Sequence, residues 1–170
     1  MTAAGHDVTP TVPGLLVTEC VLGASESAHA TNVTSAWLDR DGRKFCHRSL
    51  VARYGYDYQP ERFWLGAIPS FFADLADRLG VRSNSVSLAL YEPRDDIAPH
   101  IDLPCWDDIA IFNLGGPAEI VFEQGSKRVP VKLASGDLIK LTGDSLRLWK
   151  HSVFAERKRY SIVFRYRSDV

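Results

Sequence analysis

The chain reads as a mainly β domain with flanking helices (α+β), organised around a jelly-roll, or double-stranded β-helix, core. Three observations predict this. From Ser85 onward the sequence breaks into short segments of β-branched or apolar alternation. Glycine-bearing turns separate them: Gly115-Gly116-Pro117, Gln124-Gly125-Ser126, Ser135-Gly136-Asp137 and Thr142-Gly143-Asp144. Helical spacing occurs only upstream. About eight closely spaced short strands are the number a jelly roll needs.

In chain order, residues 1–14 form a flexible lead-in carrying Pro10, Pro13 and Gly14, and residues 15–170 form a single domain. Leu15 to Leu22 alternates enough for a first strand. Ser25 to Leu38 is a candidate helix with Ser25 or Ser27 as its cap. Arg53-Tyr54-Gly55-Tyr56-Asp57-Tyr58 alternates aromatic and other residues, as a strand or extended lid does. Pro69 to Leu79 places Phe72, Leu75, Ala76 and Leu79 at helical spacing, and Gly80 ends the pattern. The jelly-roll core occupies about 85–168: Ser85–Glu92, His100–Asp102, Ile109–Leu114, Ala118–Glu123, Val129–Leu133, Leu138–Leu141, Leu146–His151 and Tyr160–Arg167.

Bulk properties bound the function. With 170 residues the chain suits one domain with a proper core. Its hydrophobic content of 45% and net charge of −1 advertise no nucleic-acid partner, although a neutral chain can still carry a local basic patch. The first twenty residues do not read as a signal peptide, and no apolar run is long enough to span a bilayer, so no membrane association is expected. Three scattered cysteines, Cys20, Cys46 and Cys105, suit a reducing compartment, which makes the cytoplasm the expected location.

The chemistry centres on His100-Ile101-Asp102. On a strand, residues i and i+2 share a face, so the imidazole and carboxylate would project into one space. Such a triplet is nearly supplied by chance, and its plain reading is a surface hydrogen-bond pair. An isolated His151 lies 51 positions on, where the octet Leu146–Val153 would set it on another strand. Two imidazoles and one carboxylate are the donor set of non-haem Fe(II) oxygenases. Further on, Arg159, Ser161, Val163 and Arg165 alternate with Tyr160, Ile162, Phe164 and Tyr166. Both arginines therefore share one strand face. Either that face is solvated, or its guanidinium forks bind a carboxylate bidentately. Cys105 has no positioned base and reads as a small packed residue.

Taken in order, Tyr91-Glu92-Pro93 through His100-Ile101-Asp102, then His151, then Arg159-Tyr160-Ser161-Ile162-Val163-Phe164-Arg165, the set resembles the AlkB-type Fe(II)/2-oxoglutarate dioxygenases over roughly residues 45 to 167. The Tyr-Glu-Pro run and the Tyr-Gly-Tyr segment look more like the transfer-RNA-associated eukaryotic branch than the bacterial repair enzyme. The resemblance implies His100, Asp102 and His151 as iron ligands, catalytic through that iron. It implies Tyr91 and Arg159 as contacts to 2-oxoglutarate, with Arg165 completing the anionic pocket. The implied cofactors are Fe(II), 2-oxoglutarate and O2. The implied reaction couples decarboxylation of 2-oxoglutarate to C–H hydroxylation or oxidative N-demethylation. Two positions depart from the pattern: asparagines of the bacterial repair enzyme are replaced here by Ala89 and Ser161.

The implied substrate is an N-alkylated nucleic-acid base, flipped out and stacked on aromatics. Tyr54, Tyr56, Tyr58 and Trp106 are the aromatic candidates, and Arg40, Arg43, Lys44, Arg48 and Arg53 the phosphate-facing ones. The plain alternatives are a core-packed hairpin and a solvated loop. A hydroxylase of a small metabolite or protein side chain would use the same iron chemistry. A catalytically silent jelly-roll binding module is the reading from another class, and the ordered set of ligands and arginines speaks against it.

Overall fold

The computed structural model describes residues 12–45, 48–57 and 63–170. In chain order the elements are β1 (Leu15–Thr18), α1 (Ala24–Asp41), β2 (Arg43–Phe45), β3 (Arg48–Gly55), α2 (Ser70–Arg78), β4 (Ser85–Tyr91) and β5 (Asp96–His100). There follow β6 (Asp108–Gly115), β7 (Ala118–Gln124), β8 (Lys127–Leu133), β9 (Leu138–Leu141), α3 (Asp144–Arg147), β10 (Lys150–Phe154) and β11 (Arg159–Tyr166). They form two antiparallel sheets. The larger has the order β1-β9-β6-β11-β4-β3-β2 and the smaller β5-β10-β7-β8. Of the last eight strands, β4, β6, β9 and β11 lie in the larger sheet and β5, β7, β8 and β10 in the smaller, the jelly-roll arrangement, while β1, β3 and β2 extend the edges of the larger one.

Strand alternation explains how the larger sheet serves two cores. On β11, Tyr160, Ile162 and Phe164 join Val86, Leu88 and Leu90 of β4 and Phe112 of β6 beneath the helices. Ala30 and Leu38 of α1 and Phe72, Leu75 and Ala76 of α2 close that layer. The intervening residues face the smaller sheet, where Ala89, Tyr91 and Ile111 meet Ile120, Phe122, Val131 and Val153. Every residue of β4 is buried for this reason. Burying each large side chain of these layers contributes about 1.5–3 kcal/mol. The helices thus cover one face, leaving the space between the sheets for polar residues of the other period.

Four local expectations are corrected. The lead-in lies outside the described residues up to residue 11, but Val12 is 1% exposed in the inter-sheet core, and the Gly14 carbonyl accepts from Thr142 N. Val12 to Gly14 therefore pack with the domain. The first strand stops at Thr18, because the chain turns through Cys20 (φ 51°), whose N–H donates to Asp137. Helix α1 is capped by Gly23, whose N–H donates to Glu26 Oε2, while Ser27 turns inward onto Ser135 Oγ at 2.6 Å. The stretch Leu146–His151 is only in part a strand. Gly143, Asp144 and Ser145 wind a helical turn that buries Leu146, and the strand begins at Lys150.

Gly55 ends β3 with φ +76°, and an added Cβ would lie 2.3 Å from the Asn84 carbonyl oxygen. Gly55→Ala is expected to destabilise the domain by roughly 1–3 kcal/mol, read as a lowered urea midpoint at unchanged slope.

Candidate metal centre and anion pocket

His100 closes β5 and His151 sits on β10, and the two are direct partners across that antiparallel pair. Their ring centroids are 4.4 Å apart. A register irregularity follows His151 before Val153, a device that re-aims side chains near a sheet edge. Asp102 is not on the strand. It lies in the loop after β5, 6% exposed, so the shared-face argument for His100 and Asp102 does not describe how they meet. The chain leaves the strand at Ile101 and turns the carboxylate back: Asp102 Oδ2 is 3.4 Å from His151 Nε2. One donor atom from each of His100, Asp102 and His151 lies within 4.8 Å of the others.

The protonation of His151 suits a cation. Burial pushes His151 down to about 4, against the opposing pull of Asp102, so its ring is neutral at physiological pH. His100 Nδ1 is 2.9 Å from the Ala98 carbonyl oxygen. A carbonyl only accepts, so Nδ1 carries the proton and Nε2 is the ring nitrogen left to face a cation. Two neutral imidazoles and one carboxylate are a fitting donor set for Fe(II).

These residues form one wall of a cavity of about 270 Å³. Tyr91, Arg159, Ser161, Arg165 and Ser87 line the opposing sheet, with Ile111, Ile120 and Val163 as apolar walls. All six residues singled out in the sequence, Tyr91, His100, Asp102, His151, Arg159 and Arg165, therefore meet in one space. Arg159 pairs with Tyr91 across β11 and β4, its guanidinium carbon 4.5 Å from the Tyr91 ring centroid. It is 1% exposed, and its Nε donates to Asn113 Oδ1 at 2.8 Å. Burial pushes its pKa down and Tyr91 works the other way, yet a guanidinium stays protonated in proteins. Among the described residues it meets no carboxylate. Arg165 Nη1 donates to Ser87 Oγ at 2.9 Å, and Ser161 Oγ is buried without a hydrogen-bond partner. For Arg159, a buried cation that meets no carboxylate among the described residues, burial is costly unless an anion joins it.

Asn113 and Ser87 were not singled out in the sequence. Asn113 was signalled by being the one polar residue between Ile109 and Leu114, and Ser87 by its place in Val86-Ser87-Leu88. Arg53, counted with the basic cluster, instead lines the cavity and pairs with Asp57 at 3.3 Å. Arg40 is bonded to Asp41, and Arg43 to the Asp41 and Gly42 carbonyls, while Lys44 is exposed on β2. Of the aromatic candidates, Trp106 is 0% exposed and offers no stacking face. Tyr54 belongs to the helix-side core, its hydroxyl bonded to Asp41 at 2.7 Å. Tyr56 packs edge-on against Trp64, and Tyr58 lies outside the described residues, as does the side chain of Arg48. Cys105 is half-buried and free.

The fold is that of the 2-oxoglutarate/Fe(II) oxygenases. A 2OG-Fe(II) oxygenase-family oxidoreductase of Burkholderia pseudomallei superposes with a TM-score of 0.63 at 19% identity, covering 91% of this chain and 84% of that one. A prolyl-4-hydroxylase of Pseudomonas putida gives 0.65 at 15% identity, covering 91% and 92%. In this fold His100, Asp102 and His151 come together as a donor set that could hold a metal ion. OsALKBH1 superposes with a TM-score of 0.72 at 15% identity, covering 91% of this chain and 98% of that one. In sequence the chain is 26% identical over 161 residues to the tRNA (carboxymethyluridine(34)-5-O)-methyltransferase alkbh8 of Xenopus tropicalis, and 26% identical to its Mus musculus counterpart. Each alignment covers 83% of this chain, which spans about a quarter of the length of those relatives. No family model matches the chain.

Proposed function

We propose that this protein is an Fe(II)/2-oxoglutarate-dependent dioxygenase acting on an N-alkylated nucleic-acid base. The observation that carries the reading is one cavity with a His100/Asp102/His151 donor set on one wall and a buried, carboxylate-free Arg159 on the other. A dicarboxylate needs both: a metal to chelate and a guanidinium to grip the far end.

In this reading His100 Nε2, Asp102 and His151 would hold Fe(II). Bound there, Fe(II) supplies oxidation of a substrate C–H by O2, coupled to conversion of 2-oxoglutarate to succinate and CO2. Arg159 binds the distal carboxylate by charge-assisted hydrogen bonds, backed by Tyr91. Arg165 adds positive potential, and the unpartnered Ser161 hydroxyl is free to donate to the same anion. Ile111, Ile120 and Val163 keep water from the reacting groups. Hydroxylation beside a nitrogen breaks down to formaldehyde and the demethylated base.

Two features support a nucleic-acid substrate. The relatives in sequence are named for tRNA. The segment that carries Arg53 to the cavity continues into Tyr56, whose ring centroid is 5.1 Å from that of the exposed Trp64, an aromatic surface suited to base stacking. We further read residues 15–170, with Val12 to Gly14 packed onto them, as a single domain working in the cytoplasm, in keeping with the free Cys20 and Cys105. No helix among the described residues is long and apolar enough to cross a membrane.

Succinate release with Fe(II), ascorbate and O2 tests the proposal against three pools: N-methylated oligonucleotides, a metabolite extract and a peptide library. Stimulation by the oligonucleotides, with formaldehyde matching succinate, is the expected result. Stimulation by another pool alone would move the substrate to a metabolite or protein side chain. Absence of turnover in every pool would overturn the oxygenase reading.

A further inference from the structure

We infer that Asn113 is a positioning residue for co-substrate binding, orienting Arg159 toward the cavity without neutralising it. This rests on the reading of the cavity as a 2-oxoglutarate site.

Asn113 is 0% exposed in β6, and burying an amide is costly unless all its groups are bonded. Its Nδ2 donates to the Gly116 carbonyl at 2.9 Å and the Ala134 carbonyl at 3.0 Å. Both neighbours only accept, so the NH2 must face them and Oδ1 must face Arg159. The amide has no freedom to flip. The turn after β6 and the loop after β8 thus hold one end of Asn113, and its other end holds Arg159 Nε at 2.8 Å. With Nε engaged along the sheet, the terminal nitrogens, which also interact with Tyr91, are the ones left to meet a ligand carboxylate.

The choice of amide over carboxylate matters. Arg40, Arg82 and Arg167 are bonded to Asp41, Asp108 and Asp169. Arg159, buried to 1% exposure, is bonded to an amide of nearly the same shape. A carboxylate there would fill the charge that the cavity offers its ligand. Asn113, Ser161 and Ala89 also form one cross-strand rank over β6, β11 and β4. Neither Ser161 nor Ala89 carries an amide, so the one amide of this rank stands on β6.

The test is calorimetric binding of 2-oxoglutarate to the whole protein with Mn(II) in place of Fe(II). Asn113→Ala removes a hydrogen bond to a charged group and is expected to weaken 2-oxoglutarate about tenfold. Asn113→Asp, which sets a competing carboxylate on Arg159, is expected to weaken it by about 30-fold or more. The Mn(II) affinity of both variants should stay within about twofold of wild type, since neither touches the donor set. A merely structural role would not split the two affinities. Because Asp cannot donate to the Gly116 and Ala134 carbonyls, N113D is open to misfolding, and a second measurement uses unaltered protein. The Arg159 Nε–H nitrogen-15 resonance, assigned by its loss in Arg159→Lys, should resist solvent exchange both before and after 2-oxoglutarate is added. Exchange at the rate of an exposed arginine, or unchanged 2-oxoglutarate affinity in folded N113A or N113D, would overturn the inference alone. Wild-type protein that binds Mn(II) but not 2-oxoglutarate would overturn the proposed function and this inference with it.

Discussion

Asp102→Ala is expected to abolish iron-dependent conversion of 2-oxoglutarate to succinate, a loss of at least about a thousandfold, as is His100→Ala. Asp102 is the one formal negative charge of the donor set, so without it two neutral imidazoles must hold a dication. The fold should survive. Asp102 faces a neutral His151 rather than a cationic one, so its removal breaks no ion pair with that ring. The checks are succinate release at saturating Fe(II) and the far-ultraviolet circular dichroism of each variant. A folded Asp102→Ala protein with full turnover would refute the ligand assignment.

The second large effect concerns Arg159. Truncating one member of a buried, hydrogen-bonded charge pair costs roughly 2–5 kcal/mol, which corresponds to about a 30- to several-thousandfold rise in the 2-oxoglutarate requirement for Arg159→Ala. Iron affinity should change little, since Arg159 is on the sheet opposite the donor set. Stability provides an independent signature. The wild-type domain buries this cation without a carboxylate, so the variant is expected to lose no stability to lost ion pairing in the absence of co-substrate. It should, however, lose the thermal stabilisation that 2-oxoglutarate confers on wild type. Parallel melting curves with and without 2-oxoglutarate separate the two. An unchanged co-substrate requirement would transfer the anchoring role to Arg165.

Much of the fold was legible because its signals are local. The period-two pattern of Arg159 to Tyr166 put the arginines on one face and Tyr160, Ile162 and Phe164 on the other, as found. Glycine-bearing turns marked the strand boundaries of β6 to β9 to within two residues. What misled were places where a tertiary contact overrides the local pattern. The stretch from Leu146 reads as a strand by hydrophobicity alone, but the left-handed Gly143 and burial of Leu146 between the sheets favour a helical turn. Trp106 reads as a stacking platform, yet it is buried at the floor of the inter-sheet core, with Arg167 5.6 Å from its ring.

The sequence by itself determined which groups this protein brings to its chemistry. Two imidazoles, a carboxylate, a tyrosine and two arginines are fixed by residue identity, and the shared face of Arg159 and Arg165 by strand geometry. Only the tertiary structure decided how they meet. His100 faces His151 because β5 and β10 pair, Asp102 reaches them from a loop, and Arg159 is held by Asn113, 46 residues away. The physical reason is that alternation along a strand is set by neighbouring residues, whereas pairing register and the partner of a buried charge are set by long-range packing, which no local period encodes.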